Sequence, residues 1–184
     1  GEGGGRPLVK MGAPVTDITA GILGAIAVAA AYVHKLKTGE GQKIDTSLFE
    51  AGIVHTYWQS ACGLATGVAP GPMGSAHPLN APYQAFQTED GWITLGVAND
   101  SLWRRYCDAI DRPDLRDDPR FRSAPSRAEH REALMPTIRE LTAARTVDDW
   151  LETLGAAGVP CGRIRNVAEV CAHPQLVERG KVVE

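Results

Sequence analysis

A single carboxylate, Asp17, stands at the start of a long apolar stretch and is the only charged residue between Lys10 and His34. The run from Ile18 to Val33 reads as a helix hydrophobic on all sides, and such a helix belongs inside a larger protein. A carboxylate at its mouth meets free backbone N–H groups and the positive end of the helix dipole. It is expected to stay ionised at neutral pH and to be available as a nucleophile. The plainer reading is that Asp is a favoured N-cap residue, and most such residues only close a helix.

Other side chains with chemical potential have structural explanations of their own. His34 and His55 fall in helical stretches and suit polar-face or packing positions. Arg104 and Arg105 could meet a phosphate or a carboxylate, but neighbouring arginines on a helix are usually solvated or paired with acids such as Asp108. Cys161, between Pro160 and Gly162, has no basic partner near it in sequence and reads as structural. Cys62, Cys107, Cys161 and Cys171 form no CxxC pair and no His spacing suited to zinc, so no metal is expected. They read as reduced thiols of a cytoplasmic protein.

With a net charge of −3 and the two signs mixed along the chain, no cationic stripe suggests nucleic acid. The apolar run from Ile18 to Val33 is short for a bilayer crossing and contains two glycines, so a core helix is the reading and no membrane partner is expected. No charged segment followed by a cleavage site opens the chain, and export is not indicated.

The elements that must position Asp17 begin with its own helix, which Lys35, Lys37 and Gly39 end. Ile44, Thr46 and Leu48 alternate with polar residues and predict a short strand. A second helix is predicted over 49–66, with Tyr57 and Trp58 as packing residues, and the Gly- and Pro-rich run 67–82 reads as a loop. From Pro82 onward the pattern is that of a separate small α+β unit. Tyr83 to Phe86 and Trp92 to Val97 are strands joined by a turn at Asp90-Gly91. Asn99 or Asp100 caps a helix over 102–110, and Ser126 to Ala144 is a further helix. Thr146-Val147-Asp148-Asp149 resembles a capping box for a helix that ends at Gly158. Val159 to Ile164 is a strand, followed by a short helix that Asn166 caps.

The segment from Asp17 to Leu48, including Thr38-Gly39-Glu40-Gly41-Gln42 and Lys43-Ile44-Asp45-Thr46-Ser47-Leu48, resembles the class III CoA-transferases. That family, also called CaiB/BaiF, contains formyl-CoA and carnitine-CoA transferases and 2-methylacyl-CoA racemases. Further matching stretches follow in family order: Ala76 to Phe86, Asp90-Gly91-Trp92, Asn99-Asp100, Asp117 to Phe121 and Ala157 to Gly162. The resemblance covers about Gly12 to Glu184.

The resemblance implies an α/β fold, in which part of a Rossmann-like large domain is linked to a smaller α+β domain in an interlocked homodimer. Residues 1–48 would be a fragment of the large domain, 49–81 a linker, 82–173 the small domain and 174–184 the start of the return linker. The opening Gly1-Glu2-Gly3-Gly4-Gly5-Arg6-Pro7 lacks an initiator Met and reads as a flexible segment. The resemblance, which begins at the middle of the family chain, implies that the family's N-terminal half is missing, and with it most CoA contacts.

The implied activity moves CoA from an acyl-CoA donor to a carboxylic acid through an aspartyl anhydride and thioester, with Asp17 as the nucleophile. Coenzyme A enters as part of the substrate. The loop holding Gly71, Gly74, Ser75 and His77 lies near a glycine-rich flap of some relatives, but its isolated glycines depart from the consecutive run of formyl-CoA transferases. His77 could reach the acyl group there, although a histidine before proline more often fixes a loop. The alternatives are an acyl-CoA racemase, whose relatives carry His where this chain has Thr16, and an inactive structural or dimerisation fragment.

Overall fold

The computed structural model describes residues 1 and 5–181, which form two units, 1–74 and 75–184. Glu2, Gly3 and Gly4 of the glycine-rich opening, and Val182, Val183 and Glu184 of the expected return linker, lie outside the described residues. The division falls within the stretch read as a linker.

In the first unit, helix α1 (Val15–Thr38) starts after Pro14, which has no side chain able to cap it. Asp17 lies inside the first turn rather than at the N-cap, which corrects the capping expectation. Lys35 and Lys37 occupy the last turn, and Gly39, at φ 79°, donates its N–H to the Lys35 carbonyl at 2.8 Å. That left-handed cap is the geometry for which glycine is favoured.

Helix α1 is not a buried core helix within this chain. Only Ala31 is buried, while Ile18, Ile22, Ile26, Val28, Tyr32, Val33 and Leu36 are exposed. Its neighbour α2 (Leu48–Val54) has seven residues, too few to cover an all-round apolar helix of 24. By length and composition alone, α1 is also sufficient for a membrane span.

Residues 44–48 form no strand. Instead Ser47 and Glu50 make a capping box: Ser47 Oγ accepts from the Glu50 N–H at 3.1 Å, and the Ser47 N–H donates to Glu50 Oε2 at 3.1 Å. A strand needs a neighbouring strand for its backbone groups, whereas these bonds are local and end the extended segment. The helix predicted over 49–66 breaks into α2 and α3 (Tyr57–Thr66). At the break, Thr56 Oγ1 donates to the Ile53 carbonyl and lies 2.6 Å from Ser60 Oγ.

The second unit is built on a hairpin of β1 (Tyr83–Gln87) and β2 (Trp92–Gly96), paired so that Ala85 faces Thr94. Its turn closes with Thr88 N–H on the Gly91 carbonyl at 2.9 Å and Gly91 N–H on Thr88 Oγ1 at 3.0 Å. Ile93 and Leu95 point inward while Trp92 and Thr94 face out, the period-two pattern of a half-buried strand. Asn99 caps α4 (Asp100–Ala109) by accepting from the Leu102 N–H at 2.9 Å. After α5 (Pro113–Asp117), the helix predicted over 126–144 divides at His130 into α6 (Ala124–Glu129) and α7 (Arg131–Ala143).

Thr146 caps α8 (Val147–Ala156) through the Asp149 N–H, without the reciprocal bond of a capping box. A left-handed Gly158 then leads to β3 (Cys161–Arg163), antiparallel to β2. Asn166 and Glu169 form a full capping box for α9 (Val167–Cys171), and α10 (Pro174–Glu178) follows. The core joins Phe86, Ile93 and Leu95 of the sheet to Trp103 and Tyr106, Leu134 and Ile138, and Trp150 and Leu154 of α4, α7 and α8. Burial of each such large side chain contributes about 1.5–3 kcal/mol. The described residues thus form an α/β structure whose three-stranded sheet is antiparallel.

Candidate active site

The first turn of α1 presents Asp17 on an exposed surface. Two backbone hydrogen bonds start the helix: Val15 N–H to Ala13 O at 2.9 Å and Ile18 N–H to Pro14 O at 3.1 Å. Between them, the Thr16 and Asp17 N–H groups have no acceptor among the described residues. Those unpaired donors give the positive end of the helix its local field. Thr16 Oγ1 donates to Asp17 Oδ2 at 3.2 Å, so one carboxylate oxygen is oriented and the other is open to a reactant.

Helix α2 braces this turn from the side. Gly52 lies so close to it that a Cβ there would come within 3.3 Å of Thr16 Cγ2. One turn further along, Thr19 Oγ1 and His55 Nε2 are 2.7 Å apart. His55 thus takes the packing position among the two expected for it, and together with Gly52 it braces the turn that carries Asp17. The sequence offered no signal for either support, because Thr19 and His55 are 36 residues apart and only the α1–α2 packing joins them.

The loop candidates divide between the two units. Gly71 and Gly74 close the first, where the Gly74 N–H donates to the Gly1 carbonyl at 2.8 Å. Ser75 and His77 open the second. Ser75 Oγ accepts from the Ala85 N–H at 3.0 Å, which ties the loop to β1. His77 donates its N–H to the Tyr83 carbonyl and stacks on the Tyr83 ring at 4.9 Å, and its Nδ1 accepts from the Leu79 N–H at 3.1 Å. Its own carbonyl accepts from Arg131 at 2.6 Å. Desolvation, and secondarily the Arg131 charge, push the His77 pKa below the ordinary histidine value. These contacts anchor His77 in its loop.

Arg105 and Arg104 part company: a Cβ at Gly158 would lie 3.4 Å from Arg105 Nη1, whereas Arg104 lines a surface cleft. The acid expected beside them, Asp108, pairs instead with Arg116 at 2.7 Å. Burial pushes the Cys161 thiol up, which agrees with a structural cysteine. Among the described residues no cluster of His, Cys, Asp or Glu could hold a metal ion.

A family sequence model described as CoA-transferase family III matches residues 1–184. The succinate–glutarate CoA-transferase of Agrobacterium fabrum is 34% identical over 184 residues, all of this chain and 46% of that protein. The acetyl-CoA:oxalate CoA-transferase of Acetobacter aceti is 31% identical over 180 residues, 98% of this chain and 46% of that protein. Among solved structures, a CaiB/BaiF family protein from Brucella suis superposes with a TM-score of 0.76 at 35% identity, covering 96% of this chain and 47% of that one. The chain thus spans under half the length of these relatives.

Proposed function

The chain belongs to CoA-transferase family III, and on that footing we propose that the protein moves CoA from an acyl-CoA donor to a carboxylic acid acceptor, with Asp17 as the nucleophile. The observation that carries this reading is Asp17 itself: an exposed carboxylate in the first turn of an apolar helix, oriented by Thr16 and braced by α2. The activities of the relatives support short dicarboxylic acids, such as oxalate, succinate and glutarate, as the acid partners.

The exchange balances with one carboxylate and no other reagent. An Asp17 oxygen attacks the thioester carbonyl, the C–S bond breaks, and a mixed anhydride and CoA thiolate result. The thiolate attacks the Asp17 carbonyl, which releases the donor acid and leaves an aspartyl-CoA thioester. An acceptor carboxylate displaces the thiolate to give a second anhydride, and thiolate attack on its acceptor carbonyl yields the new acyl-CoA and free Asp17. Covalent catalysis of this kind replaces one difficult exchange with steps of similar energy. The backbone N–H groups of Gly71 and Met73, beside the Gly74 N–H that is held by Gly1, would stabilise the developing oxyanions. Thr16 donates to Asp17 and is no proton acceptor, so transfer is favoured over racemisation.

The all-round apolar α1 and the length of the relatives also support a Rossmann-like large domain whose remaining part covers that helix, within an interlocked homodimer. The test of the activity is CoA exchange, followed by chromatography of acyl-CoA products, in a version extended to the relatives' full length and incubated with a dicarboxylate panel. Exchange that is abolished by Asp17→Asn supports the reading. Turnover that survives the substitution overturns it.

A further inference from the structure

The second unit carries a cluster of cations that the proposed chemistry does not use. A cleft of about 440 Å³ is lined by Trp103, Arg104, Asp108, Arg116, Asp117 and Arg122, a size in the range of small-molecule sites. Arg116 spans the two acids: its Nη1 donates to Asp108 at 2.7 Å, while Nε and Nη2 donate to the Asp117 carboxylate at 3.1 Å each. One N–H on each terminal nitrogen of Arg116 stays unused. Arg122 spends only Nε, on the Asp117 carbonyl at 3.2 Å, and Arg104 has no acceptor among the described residues. Three guanidinium groups therefore face two carboxylates that are already engaged, and the cleft keeps a positive excess.

A second observation comes from the cleft wall. Trp103 is 1% exposed and held by stacking on Tyr106 at 5.9 Å, yet its indole N–H has no acceptor among the described residues. A buried donor without a partner is costly, and such groups in native proteins usually have an explanation. Planar guanidinium forks match the oxygens of a phosphate better than a point charge does.

We propose that this cleft binds a phosphate-bearing small molecule, with Arg104, Arg122 and the free N–H groups of Arg116 on the phosphate oxygens and Trp103 forming the wall beneath them. The cleft is lined by residues of the second unit alone. Its ligand is either free phosphate or a phosphate monoester.

The experiment is a titration of the 184-residue chain, labelled with ¹⁵N, by inorganic phosphate, glycerol phosphate and malonate at constant ionic strength. The expected result is saturable, single-site binding of a phosphate compound, with the indole signal of the wall residue Trp103 moving more than those of the other three tryptophans. Arg104→Ala and Arg122→Ala, both at exposed positions, should each weaken binding by about tenfold, the scale of one charge-assisted hydrogen bond. Tighter binding of glycerol phosphate identifies a monoester site, and equal or weaker binding identifies free phosphate. Unsaturable shifts, equal movement of all four indoles, malonate binding as tight as phosphate, or indifference to both substitutions would each overturn the proposal.

Discussion

Arg127 is the buried cation on which the second unit turns, and Arg127→Met tests that directly. The side chain is fully buried, and its guanidinium donates to Ala81 O at 3.0 Å, Phe121 O at 2.8 Å and Asp100 Oδ1 at 3.0 Å. It also lies 5.2 Å from the Trp103 ring centroid. Methionine keeps much of the apolar stem but no donor. Asp100 is 45% exposed on its side chain and regains water, whereas Ala81 and Phe121 are 1% and 3% exposed and leave two carbonyls unpaired. At about 2 kcal/mol for each orphaned carbonyl, the loss is about 4 kcal/mol. Relief of the cation's own desolvation, visible in the downward push that burial gives its pKa, returns part of this and leaves about 3 kcal/mol. Native-state hydrogen exchange reads the change where it acts, at the Val97 amide bonded to Pro82 O and the Gly96 amide bonded to Pro160 O. Exchange there should accelerate by about a hundredfold in Arg127→Met, and less in Arg127→Lys, which keeps the charge. Rates within about threefold of the parent in Arg127→Met would refute the reasoning, since that corresponds to well under 1 kcal/mol.

The other predictions concern acid, thiols and a cap. Asp90 is held below the ordinary aspartate value chiefly by the Val147 N–H, and Asp114, Asp117 and Asp118 by hydrogen bonds from Arg112, Arg116 and Arg120. Because their folded pKa values lie below the unfolded ones, their stabilisation is complete above the unfolded value near 3.8 and is lost as pH falls through the folded values. Urea midpoints should fall between pH 4 and 2, less steeply in Asp90→Asn, and a flat profile contradicts the assignment. Burial pushes the Cys107 thiol up to about 12, while Cys171 is exposed, so iodoacetamide at pH 8 should label Cys171 first and Cys107 only after unfolding. Peptide mapping that finds the two equally fast would show Cys107 to be accessible. Ser47→Ala removes the Oγ arm of the α2 capping box, while the backbone N–H at 47 still donates to Glu50, and should cost the helix about 1 kcal/mol, seen as loss of helical chemical shifts over 48–54. Unchanged shifts would mean that packing alone holds α2.

What could be read from the sequence is what closes within about four residues. The Asp90-Gly91 hairpin, the Asn166 cap and the Gly39 stop each join near neighbours and were legible, and the α4 cap was legible as one of Asn99 and Asp100. Alternation at Ile44, Thr46 and Leu48 misled, because a strand is completed by a distant partner while the Ser47–Glu50 box is completed locally. Arg127 falls in the helix expected over 126–144, and nothing in the sequence marks it as buried, since its carbonyl acceptor at Ala81 and its carboxylate at Asp100 are far away in the chain. The same holds at the candidate site. Asp17 was legible from its isolation in charge, whereas the brace formed by Gly52 and His55 exists only once α2 packs on α1.

The most direct measurement of the central claim is peptide mass spectrometry after a small acyl-CoA panel is mixed with a version extended to the relatives' full length. The account predicts a hydroxylamine-sensitive acyl or CoA adduct on the peptide containing Asp17, absent in Asp17→Ala. CoA binding with no adduct at Asp17, or the same adduct mapped to another residue, would contradict it.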